Sequence, residues 1–226
     1  MKTFVIGDIH GHLQALNALL DTVPFGPDDL LMFLGDYVDK GPDTKGVLER
    51  LVDFSSRPNT IFLRGNHDQM LLDAHLEPVK YSIWESLAGD APLASYGSGE
   101  SSELIEQIPE SHWKFLAESC VDFFEDERFI FVHAGIHPHH TPSEEDVDHL
   151  HWLTLSTAQP HFSHRTVICG HSAQASGKIA DLGHTICIDT GISKGKFLTC
   201  LELSGFHYWQ SSSEGKIHEA TLHRAP

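Results

Sequence analysis

The chain has 226 residues, 40% of them hydrophobic, which suits one large domain with a sizeable core. Its 32 acidic residues against 15 Lys and Arg give a net charge of −17. That excludes a nucleic-acid backbone or an anionic membrane as the main partner, because both need a basic face. A small phosphate substrate is not excluded, since bound metal ions supply positive charge that residue counting misses.

Met1-Lys2 leads at once into Thr3-Phe4-Val5-Ile6, too short an apolar stretch for a signal peptide. No apolar run approaches the ~18 residues that cross a membrane. Cys120, Cys169, Cys187 and Cys200 form no Cys-x-x-Cys pair, and three lie in apolar runs. They read as buried thiols of a cytoplasmic monomer.

Thr3–Ile6 reads as a buried strand, followed by a helix with Leu13, Leu16, Leu19 and Leu20 on one face. Leu30–Leu34 repeats the strand pattern, Val47, Leu48, Leu51 and Val52 the helical one, and Thr60–Leu63 the strand. This alternation predicts a βαβ start with a parallel sheet. The segment 71–119, interrupted by Pro78, Gly89, Pro92, Gly97, Gly99 and Pro109, reads as a helical insertion over the sheet ends. Within it, Tyr81, Trp84 and Tyr96 read as core rather than as a platform for a substrate base. Strands dominate from Val121. A hairpin turn at Glu125-Asp126-Glu127-Arg128 precedes Phe129–Val132, then Thr166–Cys169, Thr185–Ile188 and Phe197–Leu203. The expected architecture is α/β: two sheets flanked by helices, in a single domain covering 1–226.

Five of these strands end alike. Thr3–Ile6 runs into Gly7-Asp8-Ile9-His10-Gly11, and Leu30–Leu34 into Gly35-Asp36-Tyr37-Val38-Asp39-Lys40-Gly41-Pro42. Thr60–Leu63 runs into Arg64-Gly65-Asn66-His67-Asp68, Phe129–Val132 into His133-Ala134-Gly135, and Thr166–Cys169 into Gly170-His171. Open α/β sheets bind ligands at the carboxyl ends of their strands, and glycine there leaves room for sharp turns. The five junctions would gather Asp8, His10, Asp36, Asn66, His133 and His171. Oxygen and imidazole donors without thiolate suit Mn, Fe, Zn or Ni. The set is too large for one tetrahedral ion and about right for two ions sharing a carboxylate. His137, His139, His140, His149, His151, His161 and His164 read as a wet loop beside the site mouth, in preference to a further metal site.

The series GDIHG, GDYVDKGP, RGNHD, VHAG and GHS resembles the calcineurin-like metallophosphoesterases. Within them it is similar to the phosphoprotein phosphatase branch, which includes serine/threonine phosphatases, phage-type phosphatases and symmetrical diadenosine tetraphosphatases. Ser95-Tyr96-Gly97, Ile108-Pro109 and Ile188-Asp189-Thr190-Gly191 extend the likeness to compact bacterial members. The resemblance implies a double β-sheet sandwich with the active site at the strand C-terminal ends. It also implies that two divalent metal ions are bound, Mn2+ foremost, with Fe, Zn or Ni as alternatives. Asp8 and His10 would hold the first ion, Asp36 would bridge, and Asn66, His133 and His171 would hold the second. His67 would be the general acid, oriented by Asp39, and Lys40 and Asn66 would bind phosphate. A metal-bridging hydroxide would attack.

Two departures bear on the substrate. Lys40 stands where the family commonly has Arg, keeping charge but losing the bidentate fork. Thr154 stands where compact bacterial members carry a phosphate-clamping Arg. The expected function is hydrolysis of phosphomonoesters, foremost on phosphoprotein (Ser/Thr, or Tyr). A dinucleoside polyphosphate hydrolase is the alternative, and a metal-binding, non-catalytic scaffold the second alternative. The acidic surface favours phosphoprotein over the more anionic dinucleotide.

Overall fold

The computed structural model describes residues 1–89 and 92–224. Its first part alternates β1 (Thr3–Ile6), α1 (Leu13–Thr22), β2 (Leu30–Phe33), α2 (Thr44–Phe54) and β3 (Thr60–Leu63). α1 buries Ala15, Leu16, Leu19 and Leu20, and α2 buries Val47, Leu48 and Leu51, the three- and four-residue spacing of an amphipathic helix. The Asp43 carboxylate caps α2 by accepting the Gly46 N–H at 2.8 Å. The three strands pair in parallel, Val5 opposite Met32 and Met32 opposite Ile61.

The chain then turns helical, through α3 (Asn66–Leu76), α4 (Pro78–Ala88), α5 (Ser101–Leu104) and α6 (Glu110–Lys114), before a wide π-turn at Phe115–Ser119. It returns as β4 (Cys120–Val121), parallel to β3, so the helical segment is the crossover between neighbouring strands. The segment begins at Asn66, earlier than its breaker residues suggest, because α3 starts directly at the site.

A hairpin of β5 (Phe123–Glu125) and β6 (Phe129–Val132) opens the second sheet. Asp126 closes its turn by accepting the Arg128 and Phe129 N–H groups at 2.7 and 2.8 Å. Short α7 (Val147–Trp152) precedes β7 (Thr166–Cys169), β8 (Ala180–Asp181) and β9 (Thr185–Cys187). β10 (Phe197–Glu202) returns to the first sheet antiparallel to β1, and β11 (His207–Ser212) and β12 (Ile217–Thr221) extend it. The sheet orders are β12-β11-β10-β1-β2-β3-β4 and β5-β6-β7-β9-β8.

Strand alternation divides the core. Phe4, Ile6, Leu31 and Phe33 face the helices of the first half, while Val5, Met32, Leu34 and Leu63 meet Phe129, Phe131, Ile168 and Ile186 between the sheets. Ile130, Val132, Val167 and Cys169 face outward onto Leu150 of α7. Strands buried on both faces need apolar residues at every position, which is why they read as continuous runs. All four cysteines are buried and free. Among the described residues no helix is long and apolar enough to cross a membrane.

Candidate functional site

The carboxyl ends of β1, β2, β3, β6 and β7 converge on one buried hollow. Asp36, after β2, lies at its centre. Its Oδ2 is 3.4 Å from His10 Nε2, and its Oδ1 is 3.4 Å from His133 Nε2. Asn66 Oδ1 lies 3.0 Å from both His133 Nε2 and His171 Nδ1. Two groups, His10–Asp36–His67 and Asp36–His133–His171, each bring their ligand atoms within 4.8 Å of one another and share Asp36. Asp8 stands beside these groups and in neither of them: its carboxylate accepts the His171 N–H at 3.0 and 3.2 Å.

The local chain is shaped for this convergence. His10, Asp36, Asp39, Lys40 and His171 all take left-handed backbone conformations, which cost on the order of 1–2 kcal/mol each. The short polar side chains of Asp, and His, tolerate that region best. A Cβ at Gly65 would run into Asp36 Oδ1, and one at Gly170 into Asp8 Oδ1, so only glycine lets these strand ends close. Asp68 ties the ends together by accepting the backbone N–H groups of Asp36, Tyr37 and Gly65 at 2.8–2.9 Å. Burial and the Asp36 charge push its carboxyl up, and those three donors pull against them.

The donor atoms fit divalent metal ions. The His10 Nδ1–H donates to the Val38 carbonyl at 2.9 Å and the His133 Nδ1–H to that of Leu34 at 2.8 Å. Each ring therefore presents its Nε2 lone pair to the hollow. Burial lowers His10 to about 3 and His133 to about 4, against the pull of Asp36, so both stay neutral as ligands must be. Burial works against the Asp36 charge, yet the His67 ring and its backbone N–H hold the carboxyl below the ordinary range. Burial and the carboxylates of Asp189 and Asp36 raise Asp8. Such crowded acids call for a bound cation.

His67 opens α3 at the rim. Its Nδ1 is 2.8 Å from Asp39 Oδ2, and Trp84 Nε1–H donates to both Asp39 oxygens at 3.1 Å. Burial pulls His67 down, but Asp36 and Asp39 outweigh it, so its pKa lies above the ordinary value. Lys40 Nζ lies 3.5 Å from His10 Nε2.

Sequence reasoning took Trp84 for core rather than for a platform under a substrate base. Its ring is fully buried, yet its indole N–H holds Asp39, a role 45 residues of separation conceal. Tyr96 bonds His112 at 2.8 Å, and Tyr81 bonds Glu85 at 3.0 Å. Neither the Asp68 brace nor buried Asp189 was foreseen, although both follow recognised motif residues. Arg165 does not replace the missing clamp: it is committed to Glu125 at 2.8 Å and the Asp126 carbonyl at 3.0 Å. Much of the histidine-rich loop gathers around Glu145, which accepts the His137 N–H at 2.5 Å and faces His140 and His149 Nδ1 at 3.2 and 2.9 Å.

The profile of the calcineurin-like phosphoesterases matches residues 1–178. The chain belongs to this family. Among curated relatives, the symmetrical bis(5'-nucleosyl)-tetraphosphatase of Stutzerimonas stutzeri is 30% identical over 139 residues, 61% of this chain and 46% of that one. The corresponding enzyme of Photorhabdus laumondii is 32% identical over 139 residues, with the same coverage. The matched stretch spans under half the length of these relatives. Among solved structures, a candidate diadenosine tetraphosphatase superposes with a TM-score of 0.65 at 23% identity, covering 97% of this chain and 92% of that one. A serine/threonine phosphatase from Saccharomyces cerevisiae superposes with a TM-score of 0.61 at 16% identity, covering 100% and 81%. These structural likenesses carry the fold of the phosphoesterase.

Proposed function

We propose that this phosphoesterase hydrolyses dinucleoside polyphosphates, with diadenosine tetraphosphate as the reference substrate. The observation that carries the chemistry is Asp36, whose two oxygens face separate imidazole groups beside the His67–Asp39 pair. The tetraphosphatase relatives favour this substrate class over the phosphoprotein reading that overall charge suggested. Net charge is a global sum, whereas phosphate meets the local field of the site, where Lys40 stands.

In this reading Asp8 and His10 hold one divalent ion, Asn66, His133 and His171 the other, and Asp36 both. Mn2+ is the first choice, with Fe, Zn or Ni as alternatives. Ions bound there supply Lewis acidity and neutralise phosphate charge. Lys40 and the Asn66 amide meet the phosphate oxygens. Water adds to phosphorus and releases a proton to solvent, the phosphorus–oxygen bond to the leaving group breaks, and His67 gives its Nε2 proton to the departing oxygen. Asp39 orients the ring through Nδ1, and the Trp84 indole fixes Asp39. Asp36 and Asp39 raise the His67 pKa against its burial, which favours the protonated ring that the step needs. The free, buried cysteines suit a reducing, cytoplasmic compartment.

The test is a parallel assay with Mn2+ on diadenosine tetraphosphate and on phosphoserine, phosphothreonine and phosphotyrosine peptides. The expected result is a kcat/KM for the dinucleotide at least tenfold above every peptide. A peptide ahead by that margin restores the protein-phosphatase reading. No turnover of any ester by metal-loaded protein leaves the non-catalytic scaffold.

A further inference from the structure

His171 lines more than the metal hollow. On its outer side begins an open groove of about 700 Å³, whose polar lining comes from Thr154, Ser156, Ser172, Gln174 and Lys194. Hydroxyls, an amide and an ammonium are donors suited to an anion. Among the described residues, no carboxylate lies within ion-pair range of the Lys194 ammonium; Lys2, Lys40, Lys178 and Lys196 share that state, but of these Lys194 is the one that lines the groove. An unpaired cation beside the site is notable in a chain with a net charge of −17.

The turn that carries Lys194 is fastened to the sheets. Gly191 and Gly195 bracket the 3-10 turn Ile192–Lys194 in left-handed conformations, with φ of 78° and 72°. The Lys194 N–H donates to the Gly191 carbonyl at 2.9 Å, and the Gly191 N–H to the buried Asp189 carboxylate at 3.0 Å. Thr190 Oγ1 donates to the Phe197 carbonyl at 2.7 Å, and Ile192 is buried. The base of the side chain is therefore fixed, while its flexible stem can follow a ligand. Lys40 stands at the His10 side and Lys194 in the groove that starts at His171.

We propose that Lys194 is a specificity residue that binds the phosphates lying beyond the scissile one in a polyphosphate chain, with Thr154, Ser172 and Gln174 as neutral donors along the groove. This rests on the dinucleoside polyphosphate reading. A monoester occupies the metal hollow alone, whereas a polyphosphate has further anionic units that must leave that hollow, and the groove is where they meet a positive charge. The site thus answers the absence of an arginine at Thr154 with a lysine on a different loop.

The test compares wild type, Lys194→Ala and Lys194→Glu, with Lys178→Glu as a control for surface charge. The ratio of KM for diadenosine tetraphosphate to KM for 4-nitrophenyl phosphate is expected to rise roughly fivefold in Lys194→Ala and further in Lys194→Glu, with kcat little changed. The control keeps the wild-type ratio. Inorganic tripolyphosphate, titrated calorimetrically into the metal-loaded protein, should bind more weakly by a similar factor in both Lys194 variants. An unchanged ratio and unchanged tripolyphosphate affinity overturn the proposal, as does an equal rise in both KM values. If wild type spares the dinucleotide altogether, the substrate reading has failed, and the tripolyphosphate titration still decides whether Lys194 binds a phosphate chain.

Discussion

At the strand ends, His10 and His133 spend Nδ1 on backbone carbonyls and present Nε2 to Asp36. In the loop after β6, His140 and His149 instead turn Nδ1 toward one oxygen of Glu145. The first pair has 3% and 0% of its side-chain surface exposed, the second 46% and 48%. Both regions are rich in histidine and acid. They differ in what the backbone does: at the strand ends carbonyls fix the tautomer and glycines let the donors converge, while in the loop the imidazoles brace a carboxylate. Histidine density marks neither catalysis nor metal binding. A lone pair held open by burial, with the other ring nitrogen tied to a backbone carbonyl, does.

Asp36→Asn tests that contrast most severely. Both metal groups share Asp36, so metal content should drop for both ions and turnover should fall to background, measured by elemental analysis and phosphate release. Retention of two ions at full rate would remove the shared role. Replacing Glu145 should leave metal content untouched, which is the sharpest difference between the regions.

His67→Ala comes next. It should keep its metal and lose ~10²–10⁴-fold on substrates with poor leaving groups, but far less on 4-nitrophenyl phosphate, whose departing oxygen hardly needs a proton. Equal losses on both would contradict proton donation. Trp84→Phe removes the indole donor from Asp39. The cost should be about 1.5–3 kcal/mol of transition-state stabilisation, visible on the same poor leaving groups, with the acidic limb of the kcat profile displaced.

The smallest effect is expected at Glu145. Burial disfavours its charge, but the His137 and Asp146 N–H groups and the His149 and His140 rings lower its carboxyl from 4.5 to about 2. A depressed carboxyl stabilises the fold fully above pH 4.5 and loses that contribution as pH falls toward 2. Glu145→Gln should therefore be less stable than wild type at pH 7, by about 1–2 kcal/mol, and the gap should narrow below pH 4.5 and close only near pH 2. A gap constant across that range would show that the charge does not matter.

The parallel strands were legible because burial on both faces leaves no polar position in them. β11 and β12 were not, since HYWQSS and IHEAT at the sheet margin mix polar and apolar residues at half-exposed positions. β4 and β5, two and three residues long, are too short for any period to show. The glycine-flanked residues after the strands pointed to Asp8, His10, Asp36, Asn66, His133 and His171, and the structure gathers all six, with Asp8 at the side. Trp84 and Lys194 escaped because each reaches the site from a distant segment, and no local pattern encodes that arrival.

The pairing of β1 has a consequence for synthesis. One flank of Val5 is covered early by Met32 of β2, but the other waits for Leu201 of β10. At ~5–20 residues per second that wait lasts roughly ten to forty seconds on the ribosome. By its end, once His171 has been made, the nascent chain carries every metal-binding candidate from Asp8 to His171 beside an open strand edge. Such an edge is a template for pairing with another chain. A ribosome stalled before Phe197 would thus hold a product with a full complement of ligands and an uncovered sheet, poised to aggregate rather than to catalyse.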